Sequence, residues 1–496
     1  MVQPPVDTVI ATAQQHLAAG RVGEAAQLLS TAVSDARPEA AAALAPWLAK
    51  ALGTITPPGY HPRFEADLLA CFALPADHQL LARTTSRLLL HKYHGDIAGN
   101  PTAAADDRLL AAFLTRCLNV DPMMERCLIA LRDVATAPWL VSALALQAEA
   151  NEYIWPAAAA LPKRPVPRAM YERPVDQRGL PPLLIDRFFA ERAREAELAE
   201  AIPSFADWGG DVSAAVREHY EANPYPRWQA LPTAGGSLTD FVRRLPGLAD
   251  FPPPRHLLVA GCGTGYEAIH LAVTNPDAAV TAVDLSRAAL GYAARKAGDA
   301  GVAIDWRQGD ILTLPQTGIA ADVATSTGVI HHMADPAAGL GAIAAAVRPG
   351  GLVRVAVYSR AARAIVALAH DLIAERGWRP DLDGIRALRS HILALPATDP
   401  LALLRHSDDF YSASGCRDLL FHQQETLFDL PGLLAMVRDR GLEPLALDID
   451  MSAARLYATT FQALPDRAAF DRWHMLEQRH AGLFAGMYHL WCRKPG

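Results

Sequence analysis

The sequence predicts an α/β protein: a parallel, doubly wound sheet in the second half of the chain, preceded by an all-helical domain. Three observations carry this. Apolar residues recur at helical spacing through the first 153 residues. From about residue 205, short β-rich runs alternate with amphipathic stretches, which is the pattern of βαβ units. Between the two, a proline-crowded stretch has no period at all.

Size and composition set the bounds. A chain of 496 residues holds two or three domains, each able to bury its own core. Hydrophobic residues make up 51% and charged residues 20%, an ordinary balance for a soluble globular chain. The formal net charge is −7, and the cations are nearly all Arg, with lysines at Lys50, Lys92, Lys163, Lys296 and Lys494. No basic run of the nucleic-acid-binding kind occurs, which disfavours a nucleic-acid substrate. The six cysteines are scattered without a CxxC pair, suggesting neither a zinc site nor a disulfide framework. Free thiols fit a reducing compartment. The N-terminus lacks the pattern of a signal peptide, and the apolar runs fall short of the ~20 residues of a membrane span. A soluble, cytoplasmic protein is expected, with no membrane partner.

The elements follow in order. VDTVIATAQQHLAAG is amphipathic and stops at Gly20, RVGEAAQLLSTAVSDA follows, and Pro38 opens EAAAALAPWLAKALG. Ala13, Ala25, Leu29, Ala32 and Pro38 sit near tetratricopeptide spacing for one degenerate copy. DDRLLAAFLTRCLN and DPMMERCLIALRDVA continue the helical pattern. Residues 1–153 therefore form a helical, tetratricopeptide-like domain, either a packing element or a platform for a protein or peptide partner. Residues 154–204 are a proline-rich linker and a connecting helix. Residues 205–496 form the sheet domain. Its first five strands lie in HLLVAG, AAVTAVDL, IDWRQGD, ADVATSTG and LVRVAVYS, and the last two in LEPLALDID and GMYHLWCRK. Helical inserts are expected at 361–429 and 451–484.

Chemistry concentrates where the strands end. HLLVAGCGTGYEAIHLA joins a strand to a helix through Gly261, Cys262, Gly263, Thr264 and Gly265. Glycines there let the backbone approach a ligand, and the helix N-terminus offers N–H donors. Nineteen residues beyond Gly265, Asp284 ends the second strand, where a carboxylate can accept ribose hydroxyls. A dinucleotide-binding fold would look similar here. A P-loop would not, because no GK[ST] follows. VDLSRAAL carries Asp284, Leu285 and Ser286, and RQGDILTLP carries Asp310 and Ile311. TGVIHHMADP carries Thr327, His331 and His332, and RPGG spans 348–351.

In order and spacing, these stretches resemble the motifs of class I S-adenosylmethionine-dependent methyltransferases over about residues 205–494. The resemblance implies a Rossmann-like seven-stranded sheet and S-adenosyl-L-methionine as cofactor. It places the cofactor against Ala260, Gly261, Cys262, Gly263, Gly265, Glu267, Asp284, Leu285, Asp310, Ile311, Thr327 and His331. Asp310 would meet the adenine amino group and the Ile311 backbone would line the pocket. The chain departs from the family at Val259, where an acid usually stands two residues before the first glycine. The methionine ammonium then needs another partner: the carbonyls of Ala260 and Gly261, or the Glu267 carboxylate. His331 and His332 could shape the pocket or move a proton; a metal site lacks further ligands at suitable spacing.

Two flanking stretches complete the expectation. REHYEANPYPRW, residues 217–228, resembles the segment preceding the fold in bacterial methyltransferases with helical, tetratricopeptide-like N-terminal domains. Tyr220, Tyr225 and Trp228 could face the sulfonium or simply pack. HSDDFYSASGCRDLLFHQQE, residues 406–425, could build the acceptor pocket, with His422 as base, Tyr411 and Asp409 as supports and Arg417 holding a carboxylate. Its residues could equally cap helices, with Ser412 or Ser414 at a helix start. The expected reaction is methyl transfer to a protein or peptide, with a small metabolite as the alternative acceptor. A non-catalytic binding module with this fold is the alternative from another class, and a dehydrogenase the third. The long helical domain also leaves room for a homo-oligomer.

Overall fold

The computed structural model describes residues 4–155, 186, 190–205, 224, 226–228, 236–422 and 425–496. Tyr220, Tyr225 and most of the expected linker lie outside the described residues.

The chain opens with helices α1 (Val6–Ala18), α2 (Val22–Asp35), α3 (Pro38–Gly53), α4 (Pro62–Phe72), α5 (Ala82–Lys92), α6 (Pro101–Asp106), α7 (Arg108–Arg116), α8 (Pro122–Val134) and α9 (Pro138–Ala150). Prolines occupy the first turns of α3, α4, α8 and α9, where the missing N–H costs nothing. Asp121 caps α8 by accepting from the N–H groups of Met123 and Met124. Then come α10 (Glu191–Ala201), α11 (Leu238–Val242), β1 (His256–Ala260), α12 (Tyr266–Thr274), β2 (Ala279–Asp284), α13 (Arg287–Ala300), β3 (Asp305–Gln308), β4 (Ala321–Thr327), α14 (Pro336–Ala345) and β5 (Val347–Val357). The remainder is α15 (Ala364–Arg376), α16 (Leu382–Ala394), α17 (Ala413–Leu420), α18 (Leu430–Asp439), β6 (Glu443–Leu447), α19 (Met451–Phe461), α20 (Phe470–Arg479) and β7 (Tyr488–Arg493).

The seven strands make one sheet in the order β3-β2-β1-β4-β5-β7-β6. β1 to β5 pair in parallel, and β7 runs antiparallel between β5 and β6. The expected seven-stranded, Rossmann-like sheet is present. β4 is buried along almost its whole length, as expected for a parallel strand covered on both faces. Leu258, Ala260, Val355 and Leu490 feed the core on one face; Leu257, Val259, Ala282 and Trp491 feed the core on the other. RPGG bulges out of β5: Ala321 pairs with Val347, and pairing resumes at Val323 with Leu352. Gly350 takes the left-handed conformation there, φ 76°.

The chain divides into two compact units. The α/β unit comprises 193–227, 235–369 and 422–496; the helical unit comprises 1–192, 228–234 and 370–421. The segment expected as an insert of the sheet domain thus contributes most of itself to the helical unit. Inside that unit Arg389 of α16 grips Glu125 of α8 through two hydrogen bonds of 3.0 and 2.8 Å. The Arg389 Nε donates to the Phe410 carbonyl at 2.7 Å. Ser414 donates its hydroxyl to Glu152, and Arg386 donates to the Tyr153 carbonyl at 2.6 Å. Among the described residues no helix is long and apolar enough to cross a membrane.

Candidate functional site

The turn after β1 is built from three left-handed residues. Gly261, Gly263 and Gly265 have φ of 77°, 50° and 82°, which explains why glycine recurs at every second position. A Cβ on Gly261 would meet the Val329 side chain at 2.5 Å, and one on Gly265 would meet Ala293 at 2.5 Å. The turn is anchored to the next strand, since the N–H groups of Gly261 and Cys262 both donate to the Val283 carbonyl. Thr264 donates to the Pro226 carbonyl at 2.6 Å, so the end of the 217–228 segment reaches this turn.

Asp284 ends β2 with its carboxylate fixed from both sides. Oδ2 accepts from the Gly263 N–H at 2.7 Å and Oδ1 from the Ser286 N–H at 2.9 Å. The candidate ribose acid is therefore tied directly to the glycine turn. Asp310 begins the helical turn after β3 and accepts from the Leu312 N–H at 2.9 Å. Ile311 is buried in the core, while the Leu285 carbonyl accepts from Gln308 at 3.1 Å. Cys262 is buried, and burial pushes its thiol well up, with the Asp284 and Glu267 charges adding to the effect.

The end of β4, next to β1, carries polar atoms with nothing to bond. The hydroxyls of Ser326 and Thr327 and the Nδ1 of His331 are buried without a hydrogen-bond partner. Orphan polar atoms at the carboxyl ends of parallel strands, beside an anchored glycine turn, fit a polar ligand in this position. His331 is fully buried, and its Nε2 lies 3.0 Å from Nε2 of His332. Burial first, then electrostatic interaction with His332, Arg363 and His422, holds His331 well below the usual imidazole range. It is a neutral ring at neutral pH. The His422 ring stacks on His332 with centroids 3.8 Å apart. The Tyr358 ring lies 4.3 Å from the His331 ring, centroid to centroid, and the Arg363 guanidinium lies over the Tyr358 ring, 3.8 Å from its centroid. Arg363 in turn pairs with Glu425 at 2.6 Å.

The 406–425 stretch is divided between the two units. His422 belongs to the α/β unit with the two other histidines; Tyr411 and Asp409 belong to the helical unit. Tyr411 is buried and donates its hydroxyl to the Arg405 carbonyl at 2.9 Å. Burial pushes its phenol strongly up. Asp409 lies 3.4 Å from the Ser407 hydroxyl, and Arg417 donates to the Pro380 carbonyl at 2.9 Å. Ser412 caps α17 by accepting from the Gly415 N–H, so the capping role expected of it is realised. Sequence reasoning passed over Arg363, Tyr358 and Glu425; only their arrival beside the histidines gives them interest, and no local pattern announces that.

Val259 is 1% exposed and packs with Ala268 and Leu271 under α12. Glu267, two residues after Gly265, is paired with Arg354 of β5 at 2.9 Å.

Parts of this chain are similar to known proteins. Residues 257–351 match a family model described as a methyltransferase domain. An uncharacterized protein of Synechococcus sp. is 32% identical over 264 residues, covering 48% of this chain and 60% of that protein. A ubiquinone biosynthesis O-methyltransferase of Rhizobium leguminosarum is 33% identical over 108 residues, covering 22% of this chain and 42% of that enzyme. This chain therefore spans less than two thirds of the length of either relative. Among solved structures, PKMT2 from Rickettsia typhi aligns with a TM-score of 0.40 at 16% identity, over 53% of this chain and 54% of that one. Sheet order, motif order and the matched segment together assign the α/β unit: it carries a class I S-adenosylmethionine-dependent methyltransferase domain.

Proposed function

We propose that this chain moves the methyl group of S-adenosylmethionine onto a nucleophile of a protein or peptide. The observation that supports transfer is the junction of the glycine turn with Asp284, beside the unpaired polar atoms that end β4. The cofactor supplies a methyl group already activated by a positive sulfur. The chain has to supply position, and alignment of two reactants is worth up to roughly 7–11 kcal/mol of a barrier. Asp284, clamped by two N–H groups, orients the ribose, and Asp310 orients the base. Thr327 and the neutral His331 offer hydrogen bonds without adding a charge that would repel a sulfonium. His332, with His422 stacked on it, receives the proton that a protic acceptor loses.

The large helical unit favours a protein or peptide acceptor, because a small substrate does not require so extended a second unit. A second reading, a small hydroxyl compound, is favoured by the likeness to ubiquinone biosynthesis O-methyltransferases. The test is incubation of the purified chain with tritium-labelled S-adenosylmethionine and a size-fractionated lysate, with Asp284→Ala as the control. Label in the acid-precipitated protein fraction supports the first reading, and label in the small-molecule fraction supports the second. No label, or equal labelling by Asp284→Ala, refutes both.

A further inference from the structure

The missing acid at position 259 leaves a trace in the sheet. Register places Val259, Thr325, Arg354 and Trp491 in one row across β1, β4, β5 and β7. Directly paired neighbours share a face, and strands are ~4.8 Å apart, so a carboxylate at 259 would stand beside Thr325. In this chain the Thr325 hydroxyl is buried without a partner, as are Nε of Arg354 and Nε1 of Trp491. The row is polar except at the position where the acid would be.

A carboxylate nevertheless reaches this row, from the helix above it. Glu267 sits in the first turn of α12, immediately after the glycine turn. Its Oε1 accepts from Nη1 of Arg354 at 2.9 Å. Nη2 of Arg354 donates to Nδ1 of His489 at 2.8 Å, which requires the neutral imidazole as acceptor. Burial and the Arg354 charge push His489 down to about 4, so it is neutral under ordinary conditions. Among the described residues, Oε2 of Glu267 has no hydrogen bond. Its charge is felt at the turn, where it adds to the upward push on Cys262.

We infer that the acid absent from β1 is relocated to Glu267, whose Oε2 receives the methionine ammonium, with Arg354, braced by His489, as the positioning residue. The inference rests on the S-adenosylmethionine reading above. Arg354 explains why the substitution works: alone, its cation beside the turn would repel an ammonium. Paired, it neutralises one side of the carboxylate, fixes the side chain and leaves the other oxygen for a second cation.

The test separates the two ends of the cofactor. Calorimetry compares S-adenosylhomocysteine with 5′-methylthioadenosine, which shares the nucleoside and sulfur but lacks the amino-acid end. Glu267→Gln keeps shape and removes charge. It is expected to bind S-adenosylhomocysteine roughly tenfold to hundredfold more weakly, with methylthioadenosine changed by less than about twofold. Val259→Asp in the Glu267→Gln background returns a carboxylate to the row and is expected to recover part of the loss. Arg354→Lys keeps the charge and loses the fork, and is expected to show the same selective loss in milder form. Equal effects on both ligands, or none on either, overturn the relocation while leaving the cofactor reading intact. A wild-type chain that binds neither ligand overturns that reading, and this inference with it.

Discussion

Arg389→Met strands a carboxylate in the interior of the helical unit. In the structure the side chains of Arg389 and Glu125 are 3% and 5% exposed. Arg389 delivers two hydrogen bonds to Glu125 and one to the Phe410 carbonyl, and its guanidinium lies 4.8 Å from the Phe410 ring. Methionine fills much of the same volume but satisfies none of these acceptors. Breaking one side of a buried pair costs about 3–5 kcal/mol, most of it the penalty of the charge left behind. With a urea slope of roughly 2–3 kcal/mol/M, the midpoint should fall by about 1–2 M. Far-UV circular dichroism reports the transition directly, since α8 and α16 are both helical. The double variant Glu125→Leu with Arg389→Met should recover most of the loss, because an apolar pair of similar volume is often neutral or stabilising there. An unchanged midpoint in Arg389→Met refutes the argument. So does a double variant no better than the single one, because it would mean the cost is lost packing and not a stranded charge.

Two further outcomes are expected. A chain beginning at residue 186 should be insoluble or aggregated, because it removes the partners of 370–421 within the helical unit, Glu125 and Glu152 among them; a soluble monomer by light scattering would contradict the division described above. Stability should fall between about pH 6.5 and pH 4, because the unfolded chain takes up a proton at position 489 that the folded chain refuses until about pH 4. His489→Asn keeps an acceptor for Arg354 and cannot titrate, so its unfolding free energy from urea titration should change less across that window, by up to about 3 kcal/mol. Parallel curves for the two proteins would remove His489 as the source.

The parts of this molecule written in local pattern are legible in the sequence, and those written in long-range contact are not. Gly261, Gly263 and Gly265 declare the turn because backbone geometry admits little else at positive φ. Asp284 and Asp310 declare themselves by standing at the ends of β-rich runs, and the alternation of elements is enough for the sheet. The grouping of 370–421 with the N-terminal helices has no such signature. Arg389 and Glu125 are 264 positions apart, and each alone reads as a surface charge on an amphipathic helix. The same holds for Tyr411, whose polar neighbours in sequence suggest a pocket although its hydroxyl is committed to the backbone six residues earlier. Glu267 lies between these cases. Its place after the glycines makes it a candidate, but only the sheet register brings Arg354 and His489 to it.

The helical unit begins at the amino terminus and is finished only after most of the sheet has been made. A ribosome adding roughly 5–20 residues per second needs about 13–50 s to pass from Glu125 to Arg389. For that interval the nascent helices expose a carboxylate and the apolar surface around it, while β1 to β5 emerge behind them. Synthesis of this chain therefore leaves the first nine helices without their last packing partners until residue 421 has been made.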